Sequence, residues 1–349
     1  MRPRRSGRVI ALSPSGRPDS NNRERGIYIR SHIGALPTYI LKKSLGALIT
    51  VFFVITVVFL LMRLMPIEGY FGDDFDRLAP VQREAILQKM GLLDPWYIQL
   101  SNFYQDLARG DLGTSIIFRP NVPVAEIIAP KVPYSLKFGL AAMALSLSLG
   151  LLLGIFQARE KGKWPDALGT SYVIFINAVP AAVYFLFIQL YLTQLSGLPI
   201  LYSSARPLSW ILPAVSMSLG GIAGYAMWIR RFMVDELNKD YIKLARAKGL
   251  SNTRVMFSHV LRNAFVPMVQ HLPTTLLMTI AGSIFIESLY SIPGMGGLLI
   301  DAISRQDNPL VQALVLIYST IGVFGLFIGD ILMAITDPRI KLEKAGGAR

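Results

Sequence analysis

Residues 45–62 read LGALITVFFVITVVFLLM, eighteen positions without a charge. A bilayer core about 30 Å thick is crossed by roughly 20 apolar residues in a helix, and lipid offers backbone groups no other partner. The stretch therefore predicts a membrane span over residues 39–65. Five more stretches reach that length, at 136–158, 172–195, 208–229, 264–289 and 309–336. The expected fold is an all-α integral membrane protein with six transmembrane helices. Composition agrees: 52% of the 349 residues are hydrophobic and 16% charged, against about a quarter charged in a soluble domain.

Basic residues orient the spans. Residues 1–44 hold ten basic and two acidic side chains, and 230–263 hold eight and three. Residues 66–135 hold six basic and nine acidic. The pattern predicts cytoplasmic N and C termini, an external segment of about 70 residues after the first span, and a cytoplasmic loop between spans four and five. The net charge of +13 follows from this topology, which argues against nucleic acid as a partner. The chain divides into an arginine-rich tail at 1–38, the first transmembrane helix at 39–65, the external segment at 66–135, a five-helix core at 136–336 and a basic cytoplasmic tail at 337–349. The first 30 residues, with eight arginines among Ser, Pro, Gly and Asn, are expected to be disordered, either solvated or against anionic lipid headgroups. No small-residue cleavage motif follows the first span, so it is expected to be an uncleaved anchor.

In the external segment, LAPVQREAILQKMGL predicts a helix closing at Gly91. DPWYIQLSNFYQDLARGDLG predicts a second, opened by Asp94-Pro95 and ending near Gly110. These helices lie either over the outer leaflet and the mouth of the spans or against their own spans.

Within the basic loop, DYIKLARAKGL (240–250) carries a helix expected over 234–248, with Asp235 and Glu236 in its first turn, Arg246 and Lys248 in its last, and Gly249 as a left-handed stop. Ser251 or Asn252 can cap a second helix through TRVMFSHVLRNA. Leu244, Ala245, Ala247 and Gly249 leave the tip slim, with Lys243, Arg246 and Lys248 around it. Such a tip can enter a cleft on another protein. It can equally lie on its own spans with its charges against headgroups.

The chain lacks cysteine, and its three histidines, His32, His259 and His271, share no helical spacing, which disfavours metal or thiol chemistry. No G-x-x-x-x-G-K-[ST], H-E-x-x-H or G-x-S-x-G is present. Polar positions in or near the spans, Asn177, Gln189, Gln194, Thr275, Thr279, Ser283, Glu287 and Asp330, are candidates to line a pathway. Pro293 and Gly294 mark a tight external turn that could gate it. Pro180 and Pro213 are expected to bend spans three and four.

DYIKLARAKGL followed by HVLRNA resembles the cytoplasmic loop of permease subunits in bacterial ATP-binding-cassette importers, of the oligopeptide/dipeptide branch. Many such importers carry Glu-Ala-Ala, a Gly four residues on, and then Ile-x-Leu-Pro. Here Ala245, Gly249 and Leu261 match, while Lys243, Leu244, His259 and Arg262 depart. The branch's usual stretch, Ala-Arg-Ala-Lys-Gly, is present. MGLLDPWYIQLSNFYQDLARGDLGTS is similar to the branch's outer-loop signature at Gly91, Asp94, Pro95, Gln99, Gly110, Asp111, Gly113 and Ser115. IESLYSIPGMGGLLIDAI resembles its segment between spans five and six, with Glu287, Pro293, Gly294 and Gly296, and DPRI (337–340) its ending.

The resemblance implies a multi-pass protein of the bacterial inner membrane that is not itself an enzyme and holds no cofactor. ATP and Mg would be bound by two separate ABC ATPase subunits. A second homologous permease subunit would complete a heterodimer, and an extracytoplasmic solute-binding protein would deliver cargo, most simply peptides. Glutathione, nickel complexes, opines and oligosaccharides are alternatives within the branch. Asp240 to Gly249 would be the coupling helix, with Tyr241, Leu244, Ala245, Ala247 and Gly249 docking and Arg246 and Lys248 flanking. An ion-coupled secondary transporter is the rival class, and it predicts internal repeats that the chain lacks.

Overall fold

The computed structural model describes residues 20–64, 71, 77–281 and 284–336. The expectations for 1–19, for Ser283 and for the tail at 337–349 lie outside the described residues. The architecture is helical throughout, with no strand among the described residues and a single isolated bridge between Thr114 and Pro123. In chain order the helices are α1 (Ser20–Arg63), α2 (Pro80–Lys89), α3 (Trp96–Ala108), α4 (Val124–Ile128), α5 (Val132–Arg159), α6 (Trp164–Ala178), α7 (Ala181–Phe187) and α8 (Thr193–Ser196). There follow α9 (Ile211–Leu237), α10 (Asp240–Ala247), α11 (Asn252–Arg254), α12 (Arg262–Val269), α13 (Leu272–Ala281), α14 (Ile284–Leu289), α15 (Met295–Ser304) and α16 (Asn308–Thr336). Wider π turns at Ile188–Leu192 and Val255–Leu261 join α7 to α8 and α11 to α12.

Among the described residues four helices are long and apolar enough to cross a bilayer: Pro37–Arg63, Val132–Arg159, Pro207–Leu237 and Asn308–Ile335. A fifth crossing is available if Trp164–Ala178 and Ala181–Ser196, bent by 106°, form one span. The stretch expected as a single span over 264–289 is divided among α12, α13 and α14, with Pro267 inside α12.

α1 begins at Ser20. Three local expectations are corrected. Pro180 does more than bend its span. Val179, placed before a proline, is held extended (φ −87°, ψ 129°), as sterics require, and the chain turns by 106° there. Pro213 bends nothing, since it sits in the first turn of α9, where no intrahelical donor is needed. The helix expected over 234–248 is two helices. Asn238 turns its side chain onto the Val234 carbonyl at 3.1 Å, competing with the helix, and Lys239 is extended (ψ 147°). Asp235 and Glu236 therefore close α9 instead of opening α10.

Small residues seam the bundle, as they do where lipid supplies no hydrophobic drive between helices. Gly150 and Gly154 let α5 lie directly on α9: a β-carbon at 154 would come within 2.3 Å of Ile229 Cγ2 and 2.5 Å of the Ala226 carbonyl. Gly329 of α16 likewise abuts the Gln270 carbonyl, at 2.2 Å from an added β-carbon. Gly154→Ala is expected to cost about 1–3 kcal/mol by overpacking, read as a lower unfolding temperature in detergent. An unchanged temperature would refute this close approach.

α3 packs against α1. Phe59 and Phe103 stack at 5.2 Å, Phe52 and Tyr104 at 5.1 Å, and Tyr104 Oη donates to the Phe52 carbonyl at 3.0 Å. Gly91 (φ 67°) and Gly110 (φ 78°) end α2 and α3 as left-handed residues. Apolar clusters fill the two ends. One joins Val58 and Met62 of α1 to α4, α15 and α16. The other, at the opposite end, joins Ala158, Ile229 and Met233 to Ile242, Ala245, Val255 and Val260.

Candidate functional site

α10 projects from the second of these ends. Its first turn carries Asp240 and its last Arg246, as the helix dipole favours. Ile242 and Ala245 are buried against Met233, Val255 and Val260, so one face is nailed to the bundle. The other face presents Lys243, Leu244, Arg246, Ala247, Lys248 and Gly249 to the outside. Leu244 is 56% exposed, a large apolar side chain at the tip of a basic helix. Gly249 stands at φ +78°, a conformation that costs glycine little and other residues more. With it the chain reverses, Leu250 N donating to the Ala245 carbonyl at 3.3 Å. Ser251 then caps the next helix by accepting from Arg254 N at 3.4 Å. Tyr241 sits on the flank, its hydroxyl bonded to the Glu236 carboxylate and accepting from Asn263 Nδ2 at 2.7 Å. The exposed Lys243–Asp240 pair at 2.8 Å adds little stability.

The implied docking set is thus divided by geometry. Leu244, Ala247, Lys248 and Gly249 are outward, whereas Ala245 is an anchoring residue turned inward. A bulky residue at 245 would meet the buried cluster before it met any partner.

A bidentate ion pair braces the same end. Arg230 Nε and Nη2 lie 2.6 and 2.7 Å from the Asp166 carboxylate, which also accepts from Gly162 N at 2.9 Å. It ties the first turn of α6 to α9. The sequence offered only an acid in a helix's first turn and an arginine 64 positions away. Asp330, near this end of α16, is paired with Lys43 of α1 at 2.7 Å and accepts from Gln270 at 3.0 Å.

At the far end the pathway and gate candidates Glu287, Pro293 and Gly294 come together. Glu287 is buried, and its carboxylate accepts from Ser135 Oγ at 2.7 Å, Gly296 N at 2.6 Å and Gly297 N at 3.1 Å. Ser135 Oγ in turn accepts from Met295 N at 2.8 Å. The carboxylate thus sits on the N-terminus of α15, where free amides and the dipole favour an anion. Gly294 is where it is because a β-carbon there would strike the Glu287 carboxyl at 2.4 Å. Nearby, Gln189 in the first π turn donates to the Leu289 carbonyl at 2.6 Å. Asn177 is apart from this group, exposed, and folded onto its own helix at Val173 O, 2.7 Å. Thr279 lies within α13, and its side chain, like Ser283, is outside the described residues.

Sequence reasoning missed Asp307. It is buried, accepts from Ser115 Oγ at 2.5 Å, Phe118 N at 2.8 Å and Ile117 N at 3.1 Å, and caps α16 through Leu310 N at 3.4 Å. Arg305 covers the Phe118 ring at 5.3 Å. An acid just before Asn308-Pro309 is a helix-start signal, but nothing in the sequence links it to a segment 190 residues earlier.

Residues 150–342 match the family described as the binding-protein-dependent transport system inner membrane component. Over 306 residues the chain is 34% identical to the dipeptide transport system permease protein of Lactococcus lactis subsp. cremoris, covering 87% of this chain and 99% of that one. Over 311 residues it is 32% identical to the glutathione transport system permease protein of Escherichia coli K12, again 87% of this chain and 99% of the other. Over 216 residues it is 38% identical to the oligopeptide transport system permease protein of Streptococcus pneumoniae serotype 4, covering 60% of this chain and 42% of that longer protein.

Proposed function

The chain belongs to the family of binding-protein-dependent transport system inner membrane components, and from that premise we propose that it is the permease half of an ATP-driven peptide importer. It pairs with a second, homologous permease to enclose the pathway. Two ATPase subunits, which bind ATP and Mg, dock beneath, and an external solute-binding protein delivers the cargo. The spans number six when the bent pair α6–α8 and the divided stretch α12–α14 are each taken as one crossing, with both termini cytoplasmic. Peptide cargo is supported by the relatives, named for dipeptide, oligopeptide and glutathione transport.

The observation that carries this reading is α10: a short, slim, basic helix anchored on one face and bare on the other. Leu244, 56% exposed at its apex, is the apolar side chain that a partner's cleft would cover. Closure of the ATPases around ATP displaces that tip, and the bundle alternates between two rigid-body states.

Purification in mild detergent followed by mass spectrometry is expected to recover the ATPases and the second permease together. Leu244→Asp is expected to lower ATP-dependent peptide uptake by at least about tenfold, the effect of losing roughly 1.4 kcal/mol at the docking surface, while insertion and folding persist. Uptake driven by an ion gradient with no ATPase attached would overturn the proposal in favour of a secondary transporter.

A further inference from the structure

Two attachments hold α10, and they restrain different motions. Ile242 and Ala245 plug its inner face into the apolar cluster, which fixes its distance from the bundle. Apolar contact is non-directional, so it resists tilting about the plug only weakly. The links on either side are short, Asn238–Lys239 before the helix and Lys248–Ser251 after it. Directional restraint comes from Tyr241. Its hydroxyl donates to the carboxylate of Glu236 on α9 and accepts from Asn263 Nδ2 on α12 at 2.7 Å. The order Asn263, Tyr241, Glu236 is a chain of hydrogen bonds ending on a charge, the arrangement in which each bond strengthens the next. Glu236 and Asn263 are half-buried on the two helices that leave the loop. One phenol therefore ties the basic helix to both of its flanking spans at once.

We infer that Tyr241 is a positioning residue that shares displacement of α10 between α9 and α12, so that the two spans move as one; this rests on the importer reading given above. Tyr241 does not itself touch the ATPase in this assignment: its hydroxyl is spent inward. Phenylalanine at 241 keeps the ring and the docking face but removes both bonds. α10 then pivots on Ile242, and ATP closure is absorbed locally.

The test uses the whole complex reconstituted in vesicles, with a radiolabelled dipeptide as cargo. Tyr241→Phe is expected to keep full ATPase stoichiometry and to lower the unfolding temperature by only a few degrees, yet raise ATP hydrolysed per dipeptide imported by at least about tenfold, in line with loss of a charge-assisted hydrogen bond. Asn263→Asp, which removes the donor, is expected to reproduce that ratio, and Tyr241→Phe with Asn263→Ala to be no worse than Tyr241→Phe alone. Glu236→Gln, which keeps an acceptor, is expected to fall between wild type and Glu236→Ala. A readout independent of cargo is available because the chain has no cysteine. Spin labels at Asp235→Cys on α9 and Arg262→Cys on α12, both exposed, are expected to keep a fixed separation through the ATP cycle in the otherwise wild-type chain and to lose it when Tyr241→Phe is added. A wild-type ratio and fixed separation in Tyr241→Phe overturn the inference. Loss of the ATPases from that variant also overturns it, assigning Tyr241 to docking. Absence of ATPases from the wild-type preparation instead overturns the importer reading.

Discussion

Glu287→Ala is expected to lower stability by on the order of 4 kcal/mol, seen as a large drop in unfolding temperature in detergent. The carboxylate accepts from Ser135 Oγ and from the Gly296 and Gly297 amides. Removing it strands these buried donors and withdraws the anion from the N-terminus of α15. It also opens a void against Gly294, and voids in a packed interior are costly. Glu287→Gln keeps the volume and one acceptor oxygen but brings N–H groups toward N–H groups, so about half the loss is expected. A variant with alanine at 287 that melts like the wild type would show that these contacts contribute nothing.

Asp307→Ala is the second large effect, about 3 kcal/mol, and it carries a local signature. The carboxylate holds Ser115, Ile117 and Phe118 to the start of α16. Without it that strap opens more often than the rest of the fold, and chymotrypsin is expected to cut after Phe118 at least about tenfold faster. Equal cleavage of variant and wild type would refute the strap. Asp307→Asn keeps one acceptor and is expected to lie between them.

The spans were legible because an apolar run of membrane length has few other uses, and α1, α5, α9 and α16 stand close to where composition puts them. The slim basic helix was legible too, through Gly249 and the Arg246 of its last turn, though not its start. What failed was local competition. Asn238 spends its side chain on Val234 O, and this splits one expected helix into two. The extended Val179 before Pro180 turns an expected kink into a 106° corner. Glu287 was visible as an acid in a span, a pattern that suggests cargo contact; only the fold places the amides of α15 around it. Asp307 and Ser135 are ordinary residues at ordinary positions, and Ser115 stood out only as a signature match; what each does is set by partners more than a hundred positions distant. Ala245 looked like part of a docking surface because small residues suit clefts. They suit helix crossings equally, and here the second use applies.

The glycine seam has a mechanical corollary. α9 has 27 residues, a rod of about 40 Å, and it ends two residues before α10. Gly150 and Gly154 press α5 against it backbone to backbone, leaving no compliant side-chain layer between them. On the importer reading the pair would act as a lever: a tilt of about 10° at the α10 end would sweep the opposite tip by about 7 Å over that length. That tip carries Ser135, which holds Glu287 and α15. Stiffness at the seam would thus set how much of a small push at one face of the membrane arrives as an opening at the other.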